Sequence, residues 1–96
     1  MDKSTGPLSF TASFPRDARF AGTAGDLAAK LAQTTGCGEA VSQEIRAAVG
    51  AAFEAALAAD GPASIDLALR TADASFATGL TSGDRTYLQL THARPA

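Results

Sequence analysis

The spacing of hydrophobic and polar residues changes twice along the chain. Leu8, Phe10, Ala12 and Phe14 alternate with Ser9, Thr11 and Ser13. A period of two belongs to a strand with one buried face, so 8–14 is predicted as a strand, ended by Pro15. The period then becomes helical. Phe20, Ala24, Leu27, Ala28 and Leu31 fall on one stripe and predict a helix over 18–35, with Asp17 placed to cap it. Gly22 and Gly25 lie inside that helix and cost about 1 kcal/mol each against Ala, which moves its expected start toward Thr23. Gly36, free to take a positive φ, is the expected stop. Val41, Ile45, Ala48, Val49, Ala52, Phe53 and Ala56 then make the apolar face of a second helix over 39–59. Glu39 and Glu44 sit toward its N-terminus, where the helix dipole favours them, and Asp60-Gly61-Pro62 closes it.

Beyond Pro62 the period returns to two. Ile65, Leu67 and Leu69 alternate with Asp66, Ala68 and Arg70; Phe76, Thr78 and Leu80 share one face of a strand over 75–81; and Thr86, Leu88 and Leu90 indicate a last strand within 85–91. Ala72-Asp73 and Ser82-Gly83-Asp84 read as the two hairpin turns. The order is strand, helix, helix, strand, strand, strand. Segregated helices and meandering strands predict an α+β two-layer sandwich, with two helices on one face of a mostly antiparallel sheet. The expected organisation is a polar tail over 1–7, a single domain over 8–91 and a C-terminal tail over 92–96. Phe14, Phe20, Leu27, Leu31, Ile45, Val49, Phe53, Ile65, Leu67, Leu69 and Phe76 are the predicted core.

Composition narrows the partners. The 96 residues include five Phe, one Tyr and no Trp, so Ala fills much of the apolar fraction. Small side chains bury little area each. Association with a second copy is therefore expected, through an edge strand. The first strand is favoured, with Leu8 and Phe10 shared between subunits. Net charge is −2, and the basic residues are scattered singly. Neither nucleic-acid binding through phosphate neutralisation nor a membrane span is expected. The opening Met1-Asp2-Lys3-Ser4-Thr5-Gly6-Pro7 has no apolar h-region, and a cytoplasmic location is the expectation. The Ala-rich, Asn-free composition resembles that of proteins from GC-rich bacterial genomes.

Phe14-Pro15-Arg16-Asp17-Ala18-Arg19-Phe20 and Ala48-Val49-Gly50-Ala51-Ala52-Phe53-Glu54-Ala55-Ala56, in this order of elements, resemble the short anti-sigma-factor serine kinases of the histidine-kinase-like ATPase superfamily. Phe14-Pro15-Arg16-Asp17-Ala18-Arg19-Phe20 looks like that family's strand-to-helix entry. Its second helix reads approximately Ala-Val-Ser-Glu-Ala-x-x-Asn-Ala. Ala48, Val49, Ala52 and Ala56 match, while Gly50 stands for the Ser, Ala51 for the Glu and Ala55 for the Asn. In the family that Glu polarises the attacking hydroxyl and that Asn holds the Mg²⁺ of ATP. A methyl group does neither. The Asp-x-Gly-x-Gly box that reads adenine is also replaced, and Ser82-Gly83-Asp84-Arg85 has the wrong order and spacing for it. The resemblance implies the fold, dimerisation and binding of regulatory proteins of sigma-factor or antagonist type. It implies neither kinase activity nor a nucleotide or metal cofactor.

Other chemistry weighs less. Cys37 lies between the helices near a helix N-terminus, where thiols can become reactive, but small loop residues are commoner there. His92 reads as a tail residue rather than a phosphoacceptor. Glu44 and Glu54 are ten residues apart, about 15 Å along a helix, too far to share a proton or metal. The glycines at 22, 25, 36 and 38 match no phosphate-loop pattern. Ser64, Ser75 and Ser82 lack a His-based partner nearby in sequence. Two alternatives to a regulatory protein stay open. One is a ligand-binding or enzymatic domain with Arg46, Glu54, Asp66 and Arg70 around a pocket between helices and sheet. The other is a purely structural homodimerisation module.

Overall fold

The computed structural model describes residues 9–59, 61, 64–72 and 75–93. The elements follow in the order β1 (Ser9–Pro15), α1 (Phe20–Thr34), α2 (Glu39–Ala58), β2 (Ser64–Ala72), β3 (Ser75–Ser82) and β4 (Arg85–Ala93). The strands form one antiparallel sheet in the order β1-β2-β3-β4, and both helices cover one face of it. The protein is thus the α+β sandwich its periodicity predicts. No helix among the described residues is long and apolar enough to cross a membrane.

Register follows the hydrophobic pattern. Phe14 lies opposite Ile65 and Ala12 opposite Leu67, while Leu67 lies opposite Leu80. These residues point to the helices, where Ile65, Leu67, Leu69, Phe76 and Leu80 are buried with Ile45, Val49 and Phe53 of α2. Phe14 packs edge-on against Phe53, their ring centroids 6.0 Å apart, and tilts against Phe20 at 6.1 Å. Offset aromatic pairs of this kind add stability beyond the area they bury.

Three predicted core residues behave differently. Phe20, Leu27 and Leu31 of α1 are only half-buried. The residues α1 buries are Ala21, Ala24, Gly25, Ala28, Ala29 and Ala32. The cause is a close approach of the helices. A Cβ on Gly25 would lie 2.9 Å from the carbonyl oxygen of Arg46 on α2. Gly25 is therefore a contact point rather than a weakness, and α1 starts at Phe20 instead of near Thr23. Asp17 does act at this end, accepting the Arg19 N–H at 2.9 Å, although Arg19 itself occupies the cap position. At the other end Gly36 has φ 103°; its N–H donates to Gln33, and the Cys37 N–H donates to Ala32. That paired bonding is a Schellman stop.

The last strand departs from prediction twice. A register shift beside Leu80 and Thr81 pairs Thr81 with Thr86 but Leu80 with Leu88, so Tyr87 is an extra residue. Such a bulge turns the strand over locally. Thr86 consequently joins the face away from the helices, not the face of Leu88 and Leu90. The strand also continues through His92 to Ala93, which the sequence assigns to the tail. The β3–β4 turn is as predicted, with Gly83 at φ 64°, whereas Asp73 of the β2–β3 turn lies outside the described residues.

Candidate functional site

The positions that the resemblance singles out lie together on α2. Ala51 and Ala55 are both exposed, on the side of the helix turned from the sheet, while Ala52, Phe53 and Ala56 fill the core side. The helix thus presents methyl groups to solvent at these two positions. Glu39, Glu44 and Glu54 lie on exposed positions of the same helix. Glu44 reaches β4, with its Oε2 3.4 Å from His92 Nε2.

His92 is the clearest correction. Its side chain is 14% exposed, and it faces α2 from strand β4. Its Nδ1 is buried without a hydrogen-bond partner among the described residues, as is the hydroxyl of Thr78 two residues along β3 from its neighbour Phe76. With one nitrogen sealed and the other against a carboxylate, the ring is a strut between α2 and the sheet. Cys37 is likewise buried, against the hydrophobic core. That burial removes the access a reactive thiol requires.

The four polar residues of the ligand-pocket alternative do not meet. Arg46 pairs with Asp26 of α1 at 3.0 Å on the helix layer, where Glu54 is also exposed. Asp66 and Arg70 occupy the opposite face of the sheet; there Asp66 accepts a 2.6 Å hydrogen bond from Ser13. The sheet separates the two pairs. On the open face, Ala68, Ala77 and Gly79 floor a shallow hollow of about 330 Å³, rimmed by Thr11, Arg70 and Gln89. A second hollow, of about 230 Å³, lies on the helix side between α1 and the sheet. Phe10, Leu31, Thr35, Leu69 and Phe76 line it. No group of three or more metal-ligating side chains forms among the described residues.

Arg16 is the polar centre that the sequence reading missed. Its half-buried guanidinium donates to the carbonyls of Ala56 and Ala59 at the end of α2, and to Ser82 Oγ at 3.1 Å. Ser82 Oγ in turn donates to the Ser64 carbonyl at 3.1 Å. The last turn of α2 has no basic residue of its own. A helix C-terminus leaves carbonyls unsatisfied and carries partial negative charge, so a cation is favoured there. Arg16 supplies it from 40 residues away in sequence. Gly61 makes room, since a Cβ there would lie 3.2 Å from the guanidinium. This arrangement ties β1, α2, β2 and β3 together at one end. It binds backbone rather than a ligand.

No family model, curated protein or solved structure gives a significant match to the chain.

Proposed function

We propose that this chain is a non-catalytic, partner-binding regulatory protein of bacterial signalling, built on a degenerate histidine-kinase-like ATPase fold. The observation that carries the reading is the pair Ala51 and Ala55. Both side chains stand on the exposed side of α2, where a Glu or an Asn would be free to reach a ligand. Methyl groups there neither polarise a hydroxyl nor coordinate Mg²⁺, whereas the helix keeps its full core side. Selection on folding and on a surface, without selection on chemistry, gives that pattern. The partner class is a sigma factor or a sigma-factor antagonist.

Calorimetric titration with Mg-ATP tests the loss of nucleotide binding. The expected result is no binding heat; a micromolar dissociation constant would overturn the reading. Co-purification with a sigma factor or antagonist encoded beside the gene tests the regulatory role directly. The Arg16 centre favours no enzymatic alternative, because its guanidinium donates to carbonyls at the end of α2 and to Ser82 Oγ.

A further inference from the structure

We propose that the open face of the sheet binds a small hydroxylated carboxylate of single-ring size, a sugar acid, with Arg70 holding the carboxylate and the ring lying over Ala68, Ala77 and Gly79. The site is on the face turned from both helices, so the inference goes beyond the regulatory reading and does not depend on it. Strand register lays this face out as a grid. Thr11, Ala68, Gly79 and Gln89 form one row across the four strands, and in the next row Arg70 stands beside Ala77. The smallest side chains therefore meet at the centre of the sheet, with hydrogen-bonding side chains around them. The hollow of about 330 Å³ lies over that centre. Its size is at the lower end of small-molecule sites, which run from about 300 to 1,000 Å³.

Gly79 is the observation that points outward. It is the one glycine inside a described strand, and glycine weakens a strand interior. Nothing within the fold asks for it. The glycines with positive φ are Gly36 and Gly83. The extra residue of the nearby bulge lies on β4, not at Gly79. A Cβ on Gly79 would meet the Leu88 carbonyl oxygen at 3.7 Å and that of Ala68 at 4.0 Å, both ordinary contacts. Gly25, by contrast, is confined to glycine by the Arg46 carbonyl at 2.9 Å. A strand glycine that the fold does not require marks a place where an outside group comes close to the sheet.

The charges around the hollow name the ligand class. The Arg70 guanidinium has no ion pair or hydrogen bond among the described residues, whereas Arg16, Arg19 and Arg46 are each engaged. A planar guanidinium matches a carboxylate with two parallel hydrogen bonds. Arg70 stands opposite Ala77 and two residues from Ala68, so a carboxylate held there places an attached ring over the floor. The carboxylate of Asp66, on the same face, is turned to Ser13 at 2.6 Å. It lies four residues along β2 from Arg70, about 13 Å away. A second negative charge at that end would be repelled, so the ligand carries one. Thr11, Thr81 and Gln89 line the hollow, and their side chains have no protein partner among the described residues. Two hydroxyls and an amide match hydroxyl groups on the ligand, while the methyls and the glycine backbone take the C–H face of its ring.

Titration of the isotope-labelled full chain with glucuronate, followed by amide resonances, is the test. Glucuronate should shift Ala68, Ala77 and Gly79 saturably. Glucose, which lacks the carboxylate, should bind at least about tenfold more weakly, the fold-change that one charge-assisted hydrogen bond supplies. Benzoate, which lacks the hydroxyls, should also bind more weakly. Arg70→Gln should erase the preference for glucuronate over glucose. Gly79→Val fills the floor with a residue that strands favour, so it should abolish the shifts while the melting temperature stays equal or rises. Absence of a saturable shift at the three floor residues would overturn the inference. So would unchanged binding by Gly79→Val, or a Gly79→Val protein that no longer folds, since the glycine would then be a need of the fold. Benzoate binding as tightly as glucuronate would overturn the sugar-acid class. None of these outcomes bears on Mg-ATP binding or on co-purification with a regulatory partner, so this failure and that of the regulatory reading are separable.

Discussion

The two helices cover one sheet by different means. α2 inserts Ile45, Val49 and Phe53, each fully buried, between itself and β3 and β4. α1 lies over β1 and buries chiefly Ala, leaving Phe20, Leu27 and Leu31 half-exposed. The edges differ in the same sense. β4 carries a bulge, Arg85, and His92 held against Glu44, all features that discourage pairing. β1 has none of them. The α2–β4 half is thus complete within one chain, while the α1–β1 half has apolar surface and backbone left over. An Ala-rich helix close to its neighbour economises on core volume, and the large residues it displaces stay half-exposed.

The sharpest way to break this comparison is to truncate one large residue in each half. Phe53→Ala should cost about 3–5 kcal/mol, because the ring is fully buried and touches Phe14. Leu27→Ala should cost less than about 2 kcal/mol in the monomer, below the usual range for a fully buried Leu. Urea unfolding of both variants gives the two values. Equal losses would show that α1 carries as much of the core as α2, and the asymmetry would fail.

Arg16 joins the halves, so its removal comes next. Arg16→Ala should cost about 1–3 kcal/mol by removing the guanidinium from the carbonyl of Ala59 and leaving that of Ala56 with only the Ala59 N–H. Arg16→Lys should restore part of this, since an ammonium supplies charge to the helix end but not the planar fork that reaches Ser82 as well. Hydrogen exchange should show the loosening at the end of α2 before the middle of the sheet. A variant with unchanged exchange at 56–59 would mean that water caps this helix as well as Arg16 does.

The fold was legible in the sequence because it rests on periodicity, and each large residue of α2, β2 and β3 sits where its spacing places it. The misses have a common cause. Gly25, Arg16 and His92 each owe their roles to a partner distant in sequence: the Arg46 carbonyl, the end of α2, and Glu44. A local pattern records a glycine's helix penalty but not the helix it admits. One signal for Arg16 was present, in the lack of a basic residue in the last turn of α2. The bulge at Tyr87 reversed the face of Thr86 because strict alternation cannot register an extra residue. Of the candidate site, Ala51 and Ala55 were legible as positions, and their exposure on α2 came from the fold.

The smallest expected effect lies in the connection between β1 and α1. The Arg19 guanidinium and the Arg19 backbone N–H both hydrogen-bond to Asp17, at 2.7–3.1 Å, and hold its carboxyl at about 2 instead of 3.8. A carboxyl depressed on folding contributes stability that is fully present above its unfolded value and lost as pH falls through its folded one. The window here runs from about pH 4 down to about pH 2. The pair is open to solvent, with the Arg19 side chain 83% exposed, so water and salt screen it and the contribution is slight. Melting temperatures of the parent and Asp17→Asn should differ by a small, constant amount above pH 4, and the difference should shrink below it and with added salt. A gap that widens in acid would reverse the sign. A large gap at neutral pH would mean that this loop, and with it the α1–β1 half, is held far more firmly by polar contacts than its half-exposed apolar surface indicates.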